Sequence, residues 1–375
     1  SYSCTELDLN PPSEASTETW YQTETEVQMA GNDLFREVFW ARDNDNWTDD
    51  WTQRDYTTPI TNATINSESW FVESRWSNWY KVIARANRVL QNLEEDKAGL
   101  AQETKDKYRG NALFVRAAMY SKLINHWGDV IYFTDILDLE EAFTLSRTEK
   151  SQVLQSIYED YNTAIDLLPE SYSSSENQLA TKGTALAMKA RTALYNEDWA
   201  KARDAAQAVM DMGIYELYPD YGELFKSSTK NPSEVLFSIP RSEALGSSEY
   251  VAWYIPRTAG GWGGNNPSYS LFSAYLCTDG QPIDESPLFD PNNPFENRDP
   301  RMTETIVSFG EPHLGYVYQP HPDSLQTLNV NTGEYVKNWD TRANIKWAPF
   351  NGLVWEKGVS EEWLDLGAEN PLIIM

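Results

Sequence analysis

Residues 109–129 read RGNALFVRAAMYSKLINHWGD, and this stretch decides the fold class. Apolar residues return in it every three or four positions, the spacing that places them on one face of an α-helix. The residues in register are Leu113, Ala117, Tyr120, Ile124 and Trp127. Gly128 follows directly, and glycine readily adopts the left-handed conformation that ends helices. The pattern predicts a long helix over residues 103–127 that stops at Gly128.

Further helices are predicted on both sides of this one. Residues 66–93 carry the same spacing, and a helix that ends before Pro169 is expected to begin after Ser146, with Glu149 completing a capping box. Residues 181–195 and 199–212 predict a helical hairpin, in which several alanines allow close packing. The apolar stripe of residues 66–93 is Val72, Trp76, Trp79, Ile83, Ala86, Leu90 and Leu93.

The helical hairpin resembles the helix pairs of tetratricopeptide-type repeats, which stack on their neighbours to complete a shared core, although no strict repeat period is visible. From residue 233 onward, a short strand candidate at residues 235–239 is followed by a long region rich in Gly, Pro, Asn and Asp. We therefore expect a mostly α single domain. It comprises a loop-rich segment over residues 1–65, a helical-repeat scaffold over 66–232, and an irregular binding region with short strands over 233–375.

Charge excludes one large class of partners. The 375 residues include 57 acidic and 30 basic side chains, which gives a net charge of −27. Proteins that bind nucleic-acid phosphates draw affinity from lysine and arginine, and this chain contains no basic run. Docking to anionic lipid is disfavoured for the same reason. Since no apolar stretch approaches the roughly 18 residues of a spanning helix, any membrane attachment is expected to be terminal or covalent.

Tryptophan is the unusual residue of this composition. The chain has 15 Trp but only 3 His and 2 Cys, so metal and thiol chemistry are disfavoured, and neither a metal site nor a cofactor is predicted. Seven Trp precede residue 80 and six follow residue 250. The helices between them are therefore expected to be scaffold, and the Trp-rich flanks the working surface.

Residues 43–51, DNDNWTDDW, combine indole rings with short polar side chains in a predicted loop. Indole faces offer apolar area to sugar rings, while amide and carboxylate groups can bind hydroxyls, so Trp47, Trp51 and Asn46 are candidate glycan-binding residues. A solvated acidic loop with buried Trp anchors explains the pattern equally well. A calcium loop of the EF-hand type is excluded, because Thr48 and Arg54 occupy the positions of its essential Gly and Glu.

Residues 260–266, GGWGGNN, place one large aromatic among glycines. Trp262 is therefore either exposed on a turn or a plug against a neighbouring segment, and Asn265 is a candidate partner for hydroxyl groups. A phosphate-binding loop is excluded, because no strand and helix flank the glycines in the required order.

No catalytic residues are predicted. The nucleophile, metalloprotease and kinase motifs are all missing from the sequence. Carboxylate pairs such as Asp284 and Glu285 could serve a glycosidase, but such pairs arise by chance in a chain this acidic. The protein is expected not to be an enzyme, with an all-helical glycoside hydrolase as one alternative.

Several segments together resemble the SusD-like (RagB/SusD) family of nutrient-binding outer-membrane lipoproteins. Residues 4–12, CTELDLNPP, are similar to the start of the mature family members, and residues 86–93 and 109–129 are similar to two family helices. Residues 276–280 and 296–302 resemble the later family motifs "DG" and "NRDPR". These matches occur in the family's order and span most of the chain.

The resemblance implies a tetratricopeptide-like scaffold and a glycan-binding protein that delivers oligosaccharides or polysaccharides to a SusC-like TonB-dependent transporter. It also implies the extracellular face of an outer membrane as the location. Relatives place binding aromatics in the loop before the first conserved helix and in the Gly-rich loop before the "DG" motif. Some relatives bind peptides, so a peptide-binding member is a second alternative, and an intracellular helical-repeat adaptor is a third.

The two ends of the chain carry one expectation each. Cys4 is the predicted lipidation site, since Ser3 precedes it as a small residue and the polar Thr5 and Glu6 follow. The family normally continues beyond a segment such as residues 370–375 into further helices, so those helices are expected to be missing here, which would leave their packing surface exposed.

Overall fold

The computed structural model describes residues 20–40, 47–54, 57–173, 176, 178–226, 228–229, 232–242, 244, 251–360 and 372–375, without the side chain of Leu139. In this part of the chain, helices dominate up to residue 211. They are α1 (Glu24–Asp33), α2 (Trp70–Glu95), α3 (Gln102–Trp127), α4 (Leu139–Thr144), α5 (Lys150–Leu167), α6 (Lys182–Tyr195), α7 (Trp199–Asp211) and α8 (Tyr269–Ala274).

The long helices form where the apolar spacing predicts them. Helix α3 ends at Gly128, whose φ of 69° is left-handed, as expected from glycine's lack of a Cβ. Trp79 of α2 is fully buried, and Trp76 is partly buried against the same core. The ten-residue α1 was not predicted; a Thr23 and Glu26 capping box begins it.

The helices pack in chain order. Helix α3 lies between α2 and α5, α5 contacts α6, and α6 pairs with α7. This succession of neighbouring pairs is the helical-repeat scaffold expected from the sequence. Between α3 and α5, the Arg116 guanidinium donates two hydrogen bonds of 2.7 Å to the Asp160 carboxylate and one of 3.0 Å to the Asn87 amide oxygen. These hydrogen bonds offset part of the cost of burying the two charges.

The capping box predicted at Ser146 is wrong. Helix α5 begins at Lys150, and Glu149 stands at its N-cap without a side-chain hydrogen bond. The reason is that Arg147–Thr148 (β3) is extended and pairs with Val130–Ile131 (β2), so the helix starts later. Its first free N–H, from Lys150, donates instead to the carboxylate of the distant Asp129 at 2.9 Å.

The remaining strands are short and pair two at a time, all antiparallel. The predicted strand at 235–239 is present as β4 (Ser238–Ile239), which pairs with β10 (Leu372–Ile373). Trp51–Gln53 (β1) pairs with Asn265–Pro267 (β5). The other pairs are β6 (Pro312–His313) with β7 (Tyr316–Val317), and β8 (Gln326–Leu328) with β9 (Tyr335–Lys337).

One large core lies within the helices, and Phe237 from the irregular region closes it. The Phe237 ring stands edge-on to Trp40 and Phe114, with centroids 4.9 and 5.5 Å apart. The irregular region itself has several small clusters. In the "NRDPR" motif, the buried Arg298 donates to the carbonyl oxygens of Phe272 at 2.6 Å and Tyr275 at 2.9 Å. This motif therefore fastens the C-terminal end of helix α8 within the irregular region.

Candidate functional site

The β1–β5 pair joins the two Trp-containing segments singled out in the sequence. Trp51 lies opposite Pro267, and Gln53 lies opposite Asn265. The ladder continues past the strands, since the Arg54 N–H donates to the Gly264 carbonyl at 2.8 Å. Segments about 210 residues apart in the chain thus become neighbours at the Gly-rich loop.

The Arg54 guanidinium ties a third segment to this pair. Its Nη1 donates to the carbonyl oxygens of both Trp262 and Trp347, the latter at 2.6 Å. The guanidinium also lies 5.4 Å from the centre of the Trp347 ring, within cation–π range. Arg257 makes a further hydrogen bond of 3.2 Å to the Trp262 carbonyl. The backbones that carry the two indoles are thereby fixed side by side.

Glycines in the loop permit close contacts that a Cβ would prevent. A Cβ on Gly264 would stand 2.3 Å from the Trp253 ring, and one on Gly261 would stand 2.2 Å from the Ile255 carbonyl oxygen. The Trp253 ring, lying over Gly264, meets Trp262 edge-on with centroids 4.8 Å apart. The glycine run therefore lets Trp253 pack tightly beneath Trp262 and hold its indole in place.

Asp340 fastens the Gly-rich loop to the segment that follows β9. Its buried carboxylate accepts hydrogen bonds from the N–H groups of Arg257 at 2.7 Å and Thr258 at 3.1 Å. The Thr258 hydroxyl in turn accepts one from the Trp339 N–H at 3.0 Å. Burial raises the pKa of Asp340, while the hydrogen bonds from the loop act in the opposite direction. Trp339 is thus connected to the same loop as Trp262.

Four aromatic side chains on these linked segments remain open to solvent, and we refer to them as the aromatic platform. The exposed fractions are 39% for Trp262, 38% for Trp339, 42% for Trp347 and 66% for Phe350. Pro349, between Trp347 and Phe350, lies close to the Gly-rich loop, since a Cβ added to Gly263 would stand 3.4 Å from its ring. Large exposed aromatic groups held by buried polar contacts are typical of binding surfaces rather than of core.

Of the predicted site residues, Trp262 alone belongs to the aromatic platform. Trp51 packs against Tyr254 and Trp355, at 5.4 and 6.1 Å between ring centroids. The Trp51 indole nitrogen and the Asn265 amide oxygen are buried without a partner among the described residues. Both residues belong to the β1–β5 pair at the rear of the Gly-rich loop.

Trp47 packs on helix α2. Its ring lies 5.2 Å from that of Phe71, and the Arg75 guanidinium sits 4.1 Å above it. Asn46 and Cys4 lie outside the described residues.

Trp339, Trp347, Phe350 and Arg54 were not recognised as site residues in the sequence. A signal was present, because residues 337–350, KNWDTRANIKWAPF, combine three aromatic with three basic side chains. The Trp-rich character of the C-terminal flank pointed to the region but did not distinguish exposed indoles from buried ones.

Two kinds of feature are absent from the described residues. These residues contain no group of three or more His, Cys, Asp or Glu side chains arranged to hold a metal ion. None of their helices has the length and apolar character needed to cross a bilayer.

Two sequence patterns of one family match the chain. The pattern described as "Starch-binding associating with outer membrane" matches residues 8–194, and the SusD family pattern matches residues 233–375. The chain belongs to the SusD family. The resemblance drawn from the short motifs is therefore confirmed. The description of the first pattern associates the family with the outer membrane.

Curated relatives share about a quarter of their residues with this chain over the matched regions. A SusD-like protein of Formosa agariphila is 24% identical over 258 residues, covering 64% of this chain and 49% of the relative. A second SusD-like protein of that organism is 26% identical over 309 residues, covering 74% and 60% respectively. This SusD-family chain thus spans about half to three fifths of the length of these relatives.

Solved structures share the fold. A SusD-like carbohydrate-binding protein of Bacteroides fragilis superposes with a TM-score of 0.80 at 23% identity, over 94% of this chain and 71% of that one. A laminarin-binding SusD-like protein superposes with a TM-score of 0.66 at 18% identity, over 95% and 78%. Both are named as binding proteins, and the mostly α, tetratricopeptide-like fold class is confirmed by the match.

Proposed function

We propose that this SusD-family protein binds glycans at the cell surface, and that the aromatic platform is where sugar rings stack. The observation that carries the proposal is the arrangement of four exposed aromatic side chains on segments joined by Arg54 and Asp340. Flat aromatic faces match the C–H-rich faces of sugar rings. Carbohydrate binding by solved members of the fold supports the same conclusion.

The size of the platform suits reversible capture. Stacking on one indole removes on the order of 50 Å² of apolar surface, which is worth about 1 kcal/mol. Two or three such contacts and a few hydrogen bonds of about 1 kcal/mol each, less the cost of ordering, give micromolar to millimolar affinity. Such binding is weak enough for cargo to be passed onward.

We propose that the recipient is a SusC-like TonB-dependent transporter in the outer membrane, and that a lipid on Cys4 anchors the protein at the extracellular face. The family's outer-membrane association supports this location. Trp51 and Asn265 are proposed to border the platform through the β1–β5 pair, and Trp47 and Asn46 remain proposed glycan contacts.

A glycan-array screen followed by titration calorimetry on the glycans found tests this function. Trp262→Ala and Trp347→Ala are each expected to weaken binding about fivefold, the equivalent of one lost stacking contact. Trp199→Ala is the matched control, because Trp199 of α7 is 62% exposed but lies on the helical scaffold. Trp47→Ala and Trp51→Ala decide whether those residues contribute. Unchanged affinity in both platform variants, with an intact fold, would contradict the proposed site.

A further inference from the structure

We infer that the aromatic platform selects anionic glycans, those carrying carboxylate or sulfate groups, over neutral ones. The inference rests on the proposed glycan-binding function and concerns the same site. It follows from three exposed basic residues beside the platform, Lys337, Arg342 and Lys346, which we call the cation trio.

The sequence around the platform has an unusual charge balance for this protein. Residues 251–278 and 341–355 contain no Asp or Glu at all, although acidic residues outnumber basic ones by 57 to 30 in the whole chain. The single acidic residue of 335–355 is Asp340. Because Asp340 is buried and bonded to the backbone of the Gly-rich loop, its charge faces the protein rather than the platform surface.

Each member of the cation trio lies over one aromatic ring of the platform. Lys337 Nζ is 4.1 Å from the centre of the Trp339 ring, and Lys346 Nζ is 4.5 Å from that of Trp347. The Arg342 guanidinium is 5.3 Å from the centre of the Phe350 ring. A sugar stacked on these rings therefore brings its substituents close to a positive charge.

Among the described residues, the cation trio has no carboxylate partner. Some basic residues elsewhere do have one, as in the contacts of Lys107 with Glu176 at 2.8 Å and Lys226 with Glu223 at 2.6 Å. The three exposed cations of the trio are therefore not neutralised by a carboxylate of the described residues and can pair with an acidic ligand. Carboxylate and sulfate groups are the ligands that Arg and Lys bind best, through charge-assisted hydrogen bonds.

The net charge of −27 repels anions at long range but has little effect on the binding of an anionic group at the platform. At physiological ionic strength, exposed charges separated by more than about 8 Å are largely screened from each other. An acidic group stacked on the platform would lie within a few ångströms of the cation trio, inside that distance. Local attraction therefore outweighs repulsion by the rest of the surface.

The test uses polysaccharides with the same backbone and different charge. Dextran is compared with carboxymethyl dextran and dextran sulfate, and xylan with glucuronoxylan, by biolayer interferometry. For a backbone that the protein binds, the acidic polymer is expected to bind at least about fivefold more tightly than the neutral polymer of the same backbone. The carboxymethyl and sulfate polymers show which acidic group is preferred.

The variant K337Q/R342Q/K346Q is expected to remove this difference and to leave binding of the neutral polymer within about twofold. The control K201Q/R203Q removes charge from exposed side chains of α7. It is expected to change neither the affinity difference between acidic and neutral polymers nor the affinity for the neutral polymer. Equal binding of neutral and acidic polymers, or an unaltered difference in the triple variant, overturns the charge selectivity but leaves the glycan-binding function standing. If folded protein binds none of these polymers and no glycan of the array, both the charge selectivity and the glycan-binding function are contradicted.

Discussion

Arg54 is the single residue on which the geometry of the platform most depends. Its guanidinium bonds to the carbonyl oxygens of Trp262 and Trp347, which lie 85 residues apart in the sequence. Only a planar group with several donors can serve both acceptors and also lie over an aromatic ring. In the proposed function, Arg54 therefore acts on sugar binding through the positions of the two indoles.

Replacing Arg54 with methionine should weaken glycan binding about tenfold, because both indoles lose a shared anchor. The loss of two charge-assisted hydrogen bonds should also lower the free energy of unfolding by about 1–3 kcal/mol. Calorimetry and thermal unfolding measure the two effects. Arg54→Lys keeps the charge but loses the planar guanidinium, so it should give intermediate affinity. Full glycan affinity in Arg54→Met would show that the Arg54 hydrogen bonds are dispensable.

Gly264 is a second residue whose identity is fixed by its neighbours. Gly264→Ala should destabilise the protein by about 1–3 kcal/mol and reduce glycan binding, since the new methyl group would overlap the Trp253 ring beneath Trp262. Thermal unfolding and calorimetry check this. The matched control is Gly222→Ala, where φ is −68° and the methyl group would meet the carboxylate ends of two side chains, Glu304 closely and Asp220 at 3.5 Å, rather than an aromatic ring. Equal effects of the two substitutions would refute the packing argument.

At the scale of elements, the α3–α5 contact depends on the Arg116 and Asp160 ion pair. Asp160→Ala should lower the free energy of unfolding by about 3–5 kcal/mol, because it leaves the Arg116 charge buried with only Asn87 as a partner. The double variant Arg116→Met/Asp160→Leu should recover most of the loss. Denaturant unfolding of the single and double variants tests this, and a double variant as unstable as Asp160→Ala would contradict it.

The helices could be predicted from the sequence because their signals are local. Spacing of three and four residues predicted α2 and α3, and Gly128 predicted where α3 ends. The start of α5 could not be read this way, since the carboxylate that bonds its first free N–H belongs to Asp129, outside the helix. Local patterns do not record such partners.

The platform was only partly predictable for the same physical reason. The Gly-rich loop identified Trp262, but the contact between Arg54 and Trp347 spans 293 residues. The short strands add to the difficulty, because a pair such as β1 with β5 holds only three residues a side and carries little alternation to read. Exposure of Trp339, Trp347 and Phe350 is a result of these non-local contacts.

At the scale of the whole molecule, the two halves are stabilised differently. The helices enclose one large apolar core, whereas the irregular region is held by small clusters, buried polar contacts such as those of Asp340, and the Arg298 hydrogen bonds. The helical scaffold therefore leaves the loops of the irregular region able to present exposed aromatic side chains such as those of the platform.

Attachment of the whole molecule to the membrane is expected to depend on one residue, Cys4. We predict that Cys4 carries the lipid in the native protein, on the strength of the match between residues 4–12 and the start of mature family members. Mass spectrometry of the N-terminal peptide from membrane-derived protein tests this. Cys4→Ser should release the protein from the membrane fraction, and an unmodified Cys4 in membrane-derived protein would rule the prediction out.

The protein is expected to bind glycans without cutting them. Glycoside hydrolysis needs two carboxyl groups about 5–9.5 Å apart across the scissile bond. The segments that carry the platform offer no acidic residue over 251–278 or 341–355, and the Asp340 carboxylate already accepts hydrogen bonds from two backbone N–H groups. Incubation with a bound oligosaccharide should return it intact, with no new reducing ends. Reducing-sugar release that persists in highly purified protein and disappears on a single carboxylate substitution would mean that a catalytic pair is assembled elsewhere in the chain.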